Sequence, residues 1–468
     1  MKKHFEPGAT HPDRGVETDG WTRRAFLGAA GLTGGALLTG CASNPVTGKR
    51  QWMLISEAEE IRMDREVAAH QFSADYGALQ SPALQTYVSG VGRSLAAVSH
   101  RPGMPYSFRA LHASYVNAYT FPGGSIGITR GILLGLESEA ALAALIGHEI
   151  GHVAARHGAE RMSKGLLSQM LVLGLGVAVS LKDERYAPLA VGLGGLGAGL
   201  LLARYSRADE RQADDLGLQY MVKAGYNPSG MVELMDMLVR LNKSKPNALE
   251  TMFASHPMSA ERYETARHQI QSGFPREAAS LPANRERYLD ATADLRARRP
   301  LIEALQAGDS ALMKKSWDAA QVQYETALRV REDDYEALLK MAKCRLARKQ
   351  PAEARPYAVR ACAVYPEEPQ GLHVRGMIAL ESKAYDQAAA DFDTYLERLP
   401  GNPLSLFFSG RAHDGLNSRP KAVERYSAFL QQVQSGSEAE YAYRRLVEWK
   451  VIQPPPRAAR PHPGPSIA

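Results

Sequence analysis

From about residue 300 the small and apolar residues fall into a register that returns every 34 positions. Ala320, Ala354, Ala388 and Ala422 share one position; four residues on come Tyr324, Ala358, Phe392 and Tyr426, then Ala327, Ala361, Tyr395 and Phe429. Gly308, Ala342, Gly376 and Gly410 stand twelve residues before the alanines, and Pro366 and Pro400 twelve after the middle two. Small residues recur where paired helices must touch, aromatics where gaps must be filled, and proline where a helix stops. Stacked helix pairs are therefore predicted over residues 300–450. Upstream the pattern changes. Residues 137–162 are rich in Ala, Leu and Ile without a proline, which predicts one buried helix. SIGIT at 125–129 alternates polar and apolar after the turn signal Pro122-Gly123-Gly124, which predicts a short strand. Residues 166–202 form two apolar arms of about 16 residues around Lys182, Asp183, Glu184 and Arg185. Each arm is shorter than the ~20 residues a spanning helix needs. A packed helical hairpin is the first reading and a transmembrane hairpin the second.

The 34-residue register is the tetratricopeptide signature, so the carboxy-terminal part is expected to be an α-solenoid whose concave surface holds segments of other proteins. Residues 276–299 read as a charged connector. The tail at 451–468, with PPPRAARPHPGP, lacks the means to pack a core and reads as disordered.

Within the predicted buried helix, ALIGHEIGHVAARH places His148 and His152 one turn apart on one face, so both imidazoles can reach one ion. Glu149 is rotated off that line, near the metal but poorly placed to bind it. That position suits a general base acting on water. A metzincin site would need glycine at 155 and histidine at 158, where this chain has Ala155 and Gly158. His157 reads as a histidine stabilising a helix end. A third ligand is offered by SRADERQADD at 206–215: on a helix Glu210 and Asp214 share a face, so Glu210 can bind while Asp214 fixes the tautomer of a ligating histidine.

HEIGHVAARHGAER followed by SRADERQAD resembles the gluzincin peptidase family that contains HtpX and the CAAX prenyl proteases. NPVTGKRQ at 44–51, NAYTFPGGSIGITRGIL at 117–133 and SHPMSAERYETAR at 255–267 resemble its soluble periplasmic branch, typified by BepA, which also carries carboxy-terminal helical repeats. The resemblance covers about half the chain. It implies a zincin-like fold and one Zn2+ per chain, held by His148, His152 and Glu210, with Glu149 as base and Asp214 in support. It also implies that His256 can take the fourth zinc position and hold the enzyme inactive; the alternative is a surface histidine before a proline turn. Arg262 becomes a candidate for steadying an oxyanion, or for a salt bridge to a nearby carboxylate. Ser125, Ile126, Gly127 and Ile128 are expected to form an edge strand that pairs with extended substrate, or else an ordinary hairpin arm; the resemblance favours pairing.

The amino terminus reads as an address. Arg23 and Arg24 precede a weakly apolar, glycine-rich stretch that ends in Leu38-Thr-Gly-Cys41. This matches a Tat export signal ending in a lipobox, with Cys41 lipidated; Gly28 stands where lysine is frequent, which leaves Sec export open. Ala42 after the cysteine favours the outer membrane by analogy. Of the remaining cysteines, Cys344 and Cys362 are either bridged or plain core residues. The formal net charge of +6 is mild, and no basic stripe points to nucleic acid.

The expected protein is mainly α with a small β-sheet: a signal peptide at 1–40, a tether at 41–54, a zinc metallopeptidase domain at 55–275, a connector at 276–299, repeats at 300–450 and the tail. Its expected role is a lipid-anchored periplasmic metalloendopeptidase in quality control or assembly of envelope proteins. Its partners would be protein or peptide substrates and, through the resemblance, the outer-membrane assembly machinery. The alternative is a chaperone or assembly adaptor with a largely latent zinc site.

Overall fold

The computed structural model describes residues 41–174, 204–244 and 249–453. The signal peptide expected at 1–40, most of the apolar hairpin at 166–202 and nearly all of the proline-rich tail lie outside the described residues. Among those described, no helix is long and apolar enough to cross a membrane.

Cys41 opens β1 (Cys41–Ser43), which pairs antiparallel with β2 (Arg50–Trp52). The turn between them is built on Asn44, whose Oδ1 accepts from the N–H groups of Val46 (2.8 Å) and Thr47 (3.1 Å). The Asn44 side chain is buried and donates to the Ala155 carbonyl (3.3 Å), while the Leu54 N–H donates to Ser163 Oγ (3.0 Å). The segment 41–54, expected from the sequence to be a tether, is thus pinned to the domain at Asn44 and Leu54, while Ser43, Pro45 and residues 47–50 are exposed.

Helix α1 (Glu57–Ala74) starts in a capping box between Ser56 and Glu59. It is followed by α2 (Pro82–Ala97) and a sheet of β3 (Ser107–Leu111), β4 (Ala118–Thr120) and β5 (Ser125–Thr129) in the order β3-β5-β4. β5 runs parallel to β3 and antiparallel to β4. This corrects one expectation: Ser125, Ile126, Gly127 and Ile128 lie in the central strand, with a protein neighbour on both sides. Their ladder is already spent, so a substrate strand has no place beside them.

α3 (Arg130–Gly135) leads to α4 (Glu139–Ala154), in which every residue is buried. Ser138 caps it by accepting from the Ala141 N–H (3.0 Å). The single helix expected over 137–162 is instead two, because Arg156 takes a left-handed conformation (φ 61°) before α5 (His157–Gly174). What holds the break is Arg156 itself: Nε reaches Glu60 Oε1 (3.1 Å) and Nη2 the Ile55 carbonyl (2.8 Å). α6 (Arg207–Lys223), α7 (Ser229–Ser244), α8 (Glu250–Ser255) and α9 (Ala260–Gly273) complete the layer around α4.

The expected connector is also folded. α10 (Pro275–Ser280), α11 (Arg285–Ala291) and α12 (Ala293–Ala297) pack on the preceding domain. Tyr288 is fully buried and donates to the Leu133 carbonyl (2.6 Å), and the Ala140 N–H donates to the Ala283 carbonyl (3.1 Å). The charged residues that suggested a linker ring a small apolar anchor made of Tyr288 and Leu295.

Four helix pairs follow: α13 (Arg299–Met313) with α14 (Trp317–Val330), α15 (Tyr335–Ala347) with α16 (Pro351–Val364), α17 (Pro369–Glu381) with α18 (Tyr385–Arg398), and α19 (Pro403–Gly415) with α20 (Arg419–Leu430). α21 (Ser437–Glu448) ends the stack. The register has a steric cause. A side chain at Gly376 would meet the Phe392 ring at 2.9 Å and one at Gly410 the Tyr426 ring at 2.6 Å. Each first helix closes on a left-handed residue, at Lys315, Lys349, Lys383 and Asn417, again 34 apart. One apolar core runs from Leu79 in the first domain through Tyr288 to Met341 and Cys344 in the second repeat. Cys344 and Cys362 are free thiols, which settles the bridge question in favour of unpaired cysteines.

Candidate metal centre

Two glycines allow the site to form. A Cβ at Gly147 would come within 3.3 Å of the Gly217 backbone, and one at Gly151 within 2.9 Å of the Ala213 carbonyl. Their absence lets α6 lie directly on α4, so that Glu210, in the first turn of α6, reaches the two histidines. That pair, four residues apart like the histidines themselves, is a sequence signal the motif reading passed over.

Ligand-type atoms of His148, His152, Glu210 and His256, all buried, lie within 4.8 Å of one another. The Nε2 atoms of His148 and His152 are 3.1 Å apart, and His256 Nδ1 lies 3.3 Å from His148 Nε2. Glu210 Oε1 lies 3.0 Å from His256 Nδ1 and 3.4 Å from His152 Nε2. Ligands ~2.0–2.1 Å from a tetrahedral zinc stand about 3.3 Å from each other. The four spacings of 3.0–3.4 Å are close to such edges, while His148 Nε2 and Glu210 Oε2 stand farther apart, at 3.7 Å.

The proton positions sharpen this fit. His148 Nδ1 faces Asp214 Oδ1 at 2.9 Å, so Nδ1 carries the hydrogen, and in the neutral ring that a metal requires Nε2 is the lone pair. His157 Nε2 is 3.0 Å from Gln212 Oε1, an acceptor, and His157 Nδ1 is 2.9 Å from His152 Nδ1. A neutral His157 that donates to Gln212 must accept at Nδ1; His152 then donates from Nδ1 and keeps a lone pair at Nε2. With both rings neutral, two lone pairs face each other at 3.1 Å, an arrangement that a proton or a metal cation between them relieves. Burial holds both His152 and His157 below the ordinary histidine range, which keeps the relay neutral.

His157 thus opens α5 and supports His152, contrary to its reading as a helix-end charge. Tyr205 was likewise not seen in the sequence; its ring stacks on His152 with centroids 3.8 Å apart.

Arg262, at the start of α9, places Nε 2.7 Å from Asp214 Oδ2, Nη2 2.7 Å from Asp214 Oδ1 and Nη1 2.5 Å from Glu210 Oε2. Nη1 also reaches the Pro257 carbonyl at 3.1 Å. Of the two readings offered by the sequence, the geometry matches the salt bridge: the guanidinium braces two carboxylates. Burial opposes ionisation of Asp214, but the hydrogen bonds from His148 and Arg262 outweigh it and lower its pKa.

Glu149 differs from its neighbours. Both carboxylate oxygens are buried without a hydrogen-bond partner, and the closest histidine nitrogen, His256 Nε2, is 3.8 Å away. Burial raises its pKa. A carboxylate kept off the ligand cluster, desolvated and uncommitted, can take and return a proton.

Residues 82–270 match the family model described as Peptidase family M48. The chain is 27% identical over 237 residues to the beta-barrel assembly-enhancing protease of Yersinia pestis, covering 48% of each. It is 26% identical over 252 residues to metalloprotease YcaL of Escherichia coli strain K12, covering 52% of this chain and 95% of that one. It is 33% identical over 167 residues to the mitochondrial metalloendopeptidase OMA1 of Arabidopsis thaliana, covering 36% of this chain and 32% of that one. The chain spans about half the length of the Yersinia protein. The matched region contains both histidines of the motif, Glu149, Glu210, Asp214, His256 and Arg262. Residues 82–270, which hold the whole donor set, are therefore similar to peptidase family M48, a family of zinc-dependent metallopeptidases.

Proposed function

We propose that the protein is a lipid-anchored periplasmic zinc metalloendopeptidase that acts on envelope proteins during outer-membrane assembly or quality control. The observation that carries the reading is the separation of duties in one buried site: three groups from two helices converge with their lone pairs, while Glu149 stands free. Zinc, when bound, supplies Lewis acidity to the peptide carbonyl and to water. His148, His152 and Glu210 hold it; Asp214 and the His157–Gln212 relay orient the two imidazoles; Arg262 keeps Glu210 and Asp214 in place. Glu149 takes a proton from water and returns it to the leaving amine. The envelope setting is supported by the name of the Yersinia relative and by the lipobox ending at Cys41.

An extended substrate would pair with β4 rather than β5. Residues 117, 119 and 121 of the β4 segment bond to β5, so the N–H and C=O groups of Ala118 and Thr120 point the other way; Thr120 is partly exposed there, Ala118 is buried, and β4 packs against α4.

His256 favours a second reading. As a fourth protein ligand it closes the site, and a closed site is structural in type. In the peptidase reading this is a gate; in the adaptor reading it is permanent. Metal content and casein cleavage, measured before and after chelation on the full chain and on Glu149→Gln, separate them. We expect chelator-sensitive cleavage that Glu149→Gln loses while keeping its zinc. Zinc without cleavage in any condition would favour the adaptor; equal cleavage by Glu149→Gln would sink the base assignment.

A further inference from the structure

In a tetratricopeptide stack the first helix of each pair lines the concave, ligand-holding face. In the first two repeats that face is taken by this chain itself. Gln306 of α13 donates to the Ser114 carbonyl (2.8 Å). Glu336 of α15 accepts at Oε1 from the Ser114 N–H (3.0 Å) and Oγ (2.8 Å), and Lys340 donates to Ser114 Oγ (3.1 Å). Glu336 Oε2 is 2.7 Å from Arg130 Nη2, and Arg130 also spans both oxygens of Asp334 (2.7 and 2.9 Å). Arg130, Asp334 and Glu336 are almost completely buried.

We propose that these repeats are a working part of the peptidase site, with Glu336 and Ser114 as positioning residues for the substrate-pairing strand. The inference rests on the peptidase reading above. Ser114 lies four residues before β4, and Arg130 follows β5 directly. Glu336 grips both at once: through Ser114 it fixes the segment that feeds β4, and through Arg130 the end of β5. The two strands are tied at the same end by Thr129, whose N–H donates to the Asn117 carbonyl (3.0 Å) and whose single hydroxyl hydrogen lies between the carbonyls of Tyr115 (2.6 Å from Oγ1) and Asn117 (2.9 Å). The register of β4 against α4, and with it the direction of the groups on the side of β4 away from β5, where Thr120 is partly exposed and Ala118 buried, is therefore set from the repeat domain.

The test uses the full chain with Glu336→Gln, which keeps the shape and removes the charge. Ser114→Ala, which deletes only the hydroxyl between Glu336 and Lys340, is the second variant should the first not fold. Gln80→Ala removes a different contact between the domains, to the Val364 carbonyl, and serves as control. Hydrogen exchange over residues 117–121 should quicken about tenfold in the test variants while α4 stays protected, with zinc content unchanged. For casein, kcat/KM should fall about tenfold, chiefly through KM, because strand pairing is lost equally in the ground and transition states. The control should alter neither. Unchanged exchange over 117–121 overturns the proposal, and so does faster exchange with an unchanged kcat/KM. A wild-type chain without chelator-sensitive cleavage overturns the peptidase reading alone, since exchange is read without turnover.

Discussion

His152 Nδ1 stands 2.9 Å from His157 Nδ1, so the ligand tautomer of a residue inside the motif is set by a histidine beyond the helix break. Substituting His157 by Phe removes the acceptor and frees His152 to rotate or change tautomer. Zinc affinity should fall about 10–100-fold, the usual loss when a ligand's supporting partner is removed. Competition against a chelator of known affinity checks this, and added zinc should restore cleavage. An unaltered affinity would mean that stacking on Tyr205 suffices to hold the ring.

His256 bears on activity in the opposite direction. His256→Ala should leave His148, His152 and Glu210 in place and open the fourth position. Casein cleavage by the purified chain should rise about tenfold if the closed form holds ~90% of the molecules. A lower or equal rate at full zinc occupancy would remove the gate.

Arg130 tests how firmly the two domains are joined. Arg130→Met strands the buried carboxylates of Asp334 and Glu336, and the loss in unfolding free energy should be about 3–5 kcal/mol. Arg211→Met, which breaks an ion pair with Glu261 that is roughly half exposed, should cost at most about 1 kcal/mol. Urea unfolding of both variants gives the comparison, and similar losses would contradict the buried network.

His112 predicts a pH dependence at the same interface. Both ring nitrogens are buried without a hydrogen-bond partner, between the rings of Tyr335 and Tyr365. Burial, reinforced by Arg130, lowers its pKa to about 4. Because the unfolded chain takes up this proton near pH 6.5 and the folded chain only near 4, stability is full above 6.5 and is lost as pH falls between the two values. His112→Phe should flatten that part of the thermal-unfolding profile relative to wild type. Parallel profiles would exclude His112 as a contributor.

The repeat array and three members of the metal cluster, His148, His152 and Glu210, were legible because they rest on periodicity: 34 residues for stacked helix pairs, four for groups on one helix face; His256 came from the family resemblance alone. Glu210 and Asp214 emerged for that reason from a segment that otherwise looks like a solvated charged face. Other features depend on partners far along the chain. The break at Arg156 exists because Glu60 and Ile55 receive the guanidinium, and neither belongs to a local pattern. SIGIT is a strand as its alternation predicts, but central position is a matter of which strands flank it. Tyr288 and Leu295 anchor residues 276–299, yet two apolar side chains among many charges leave no period to read. Gly147 and Gly151 were available and uninterpreted; glycines one helical turn apart mark the face on which a neighbouring backbone must come close.

The occupied inner surface of the first two repeats also governs how the molecule can be divided. A cut near residue 275 would leave Arg130 with no counter-charge and bare the pocket vacated by Tyr288; a cut near 300 would give an array whose first two cradles lack their native filling. Neither half is an excisable module, so fragment-based assays would report on damaged surfaces, and any hybrid that grafts this peptidase elsewhere must carry its array through at least Lys340.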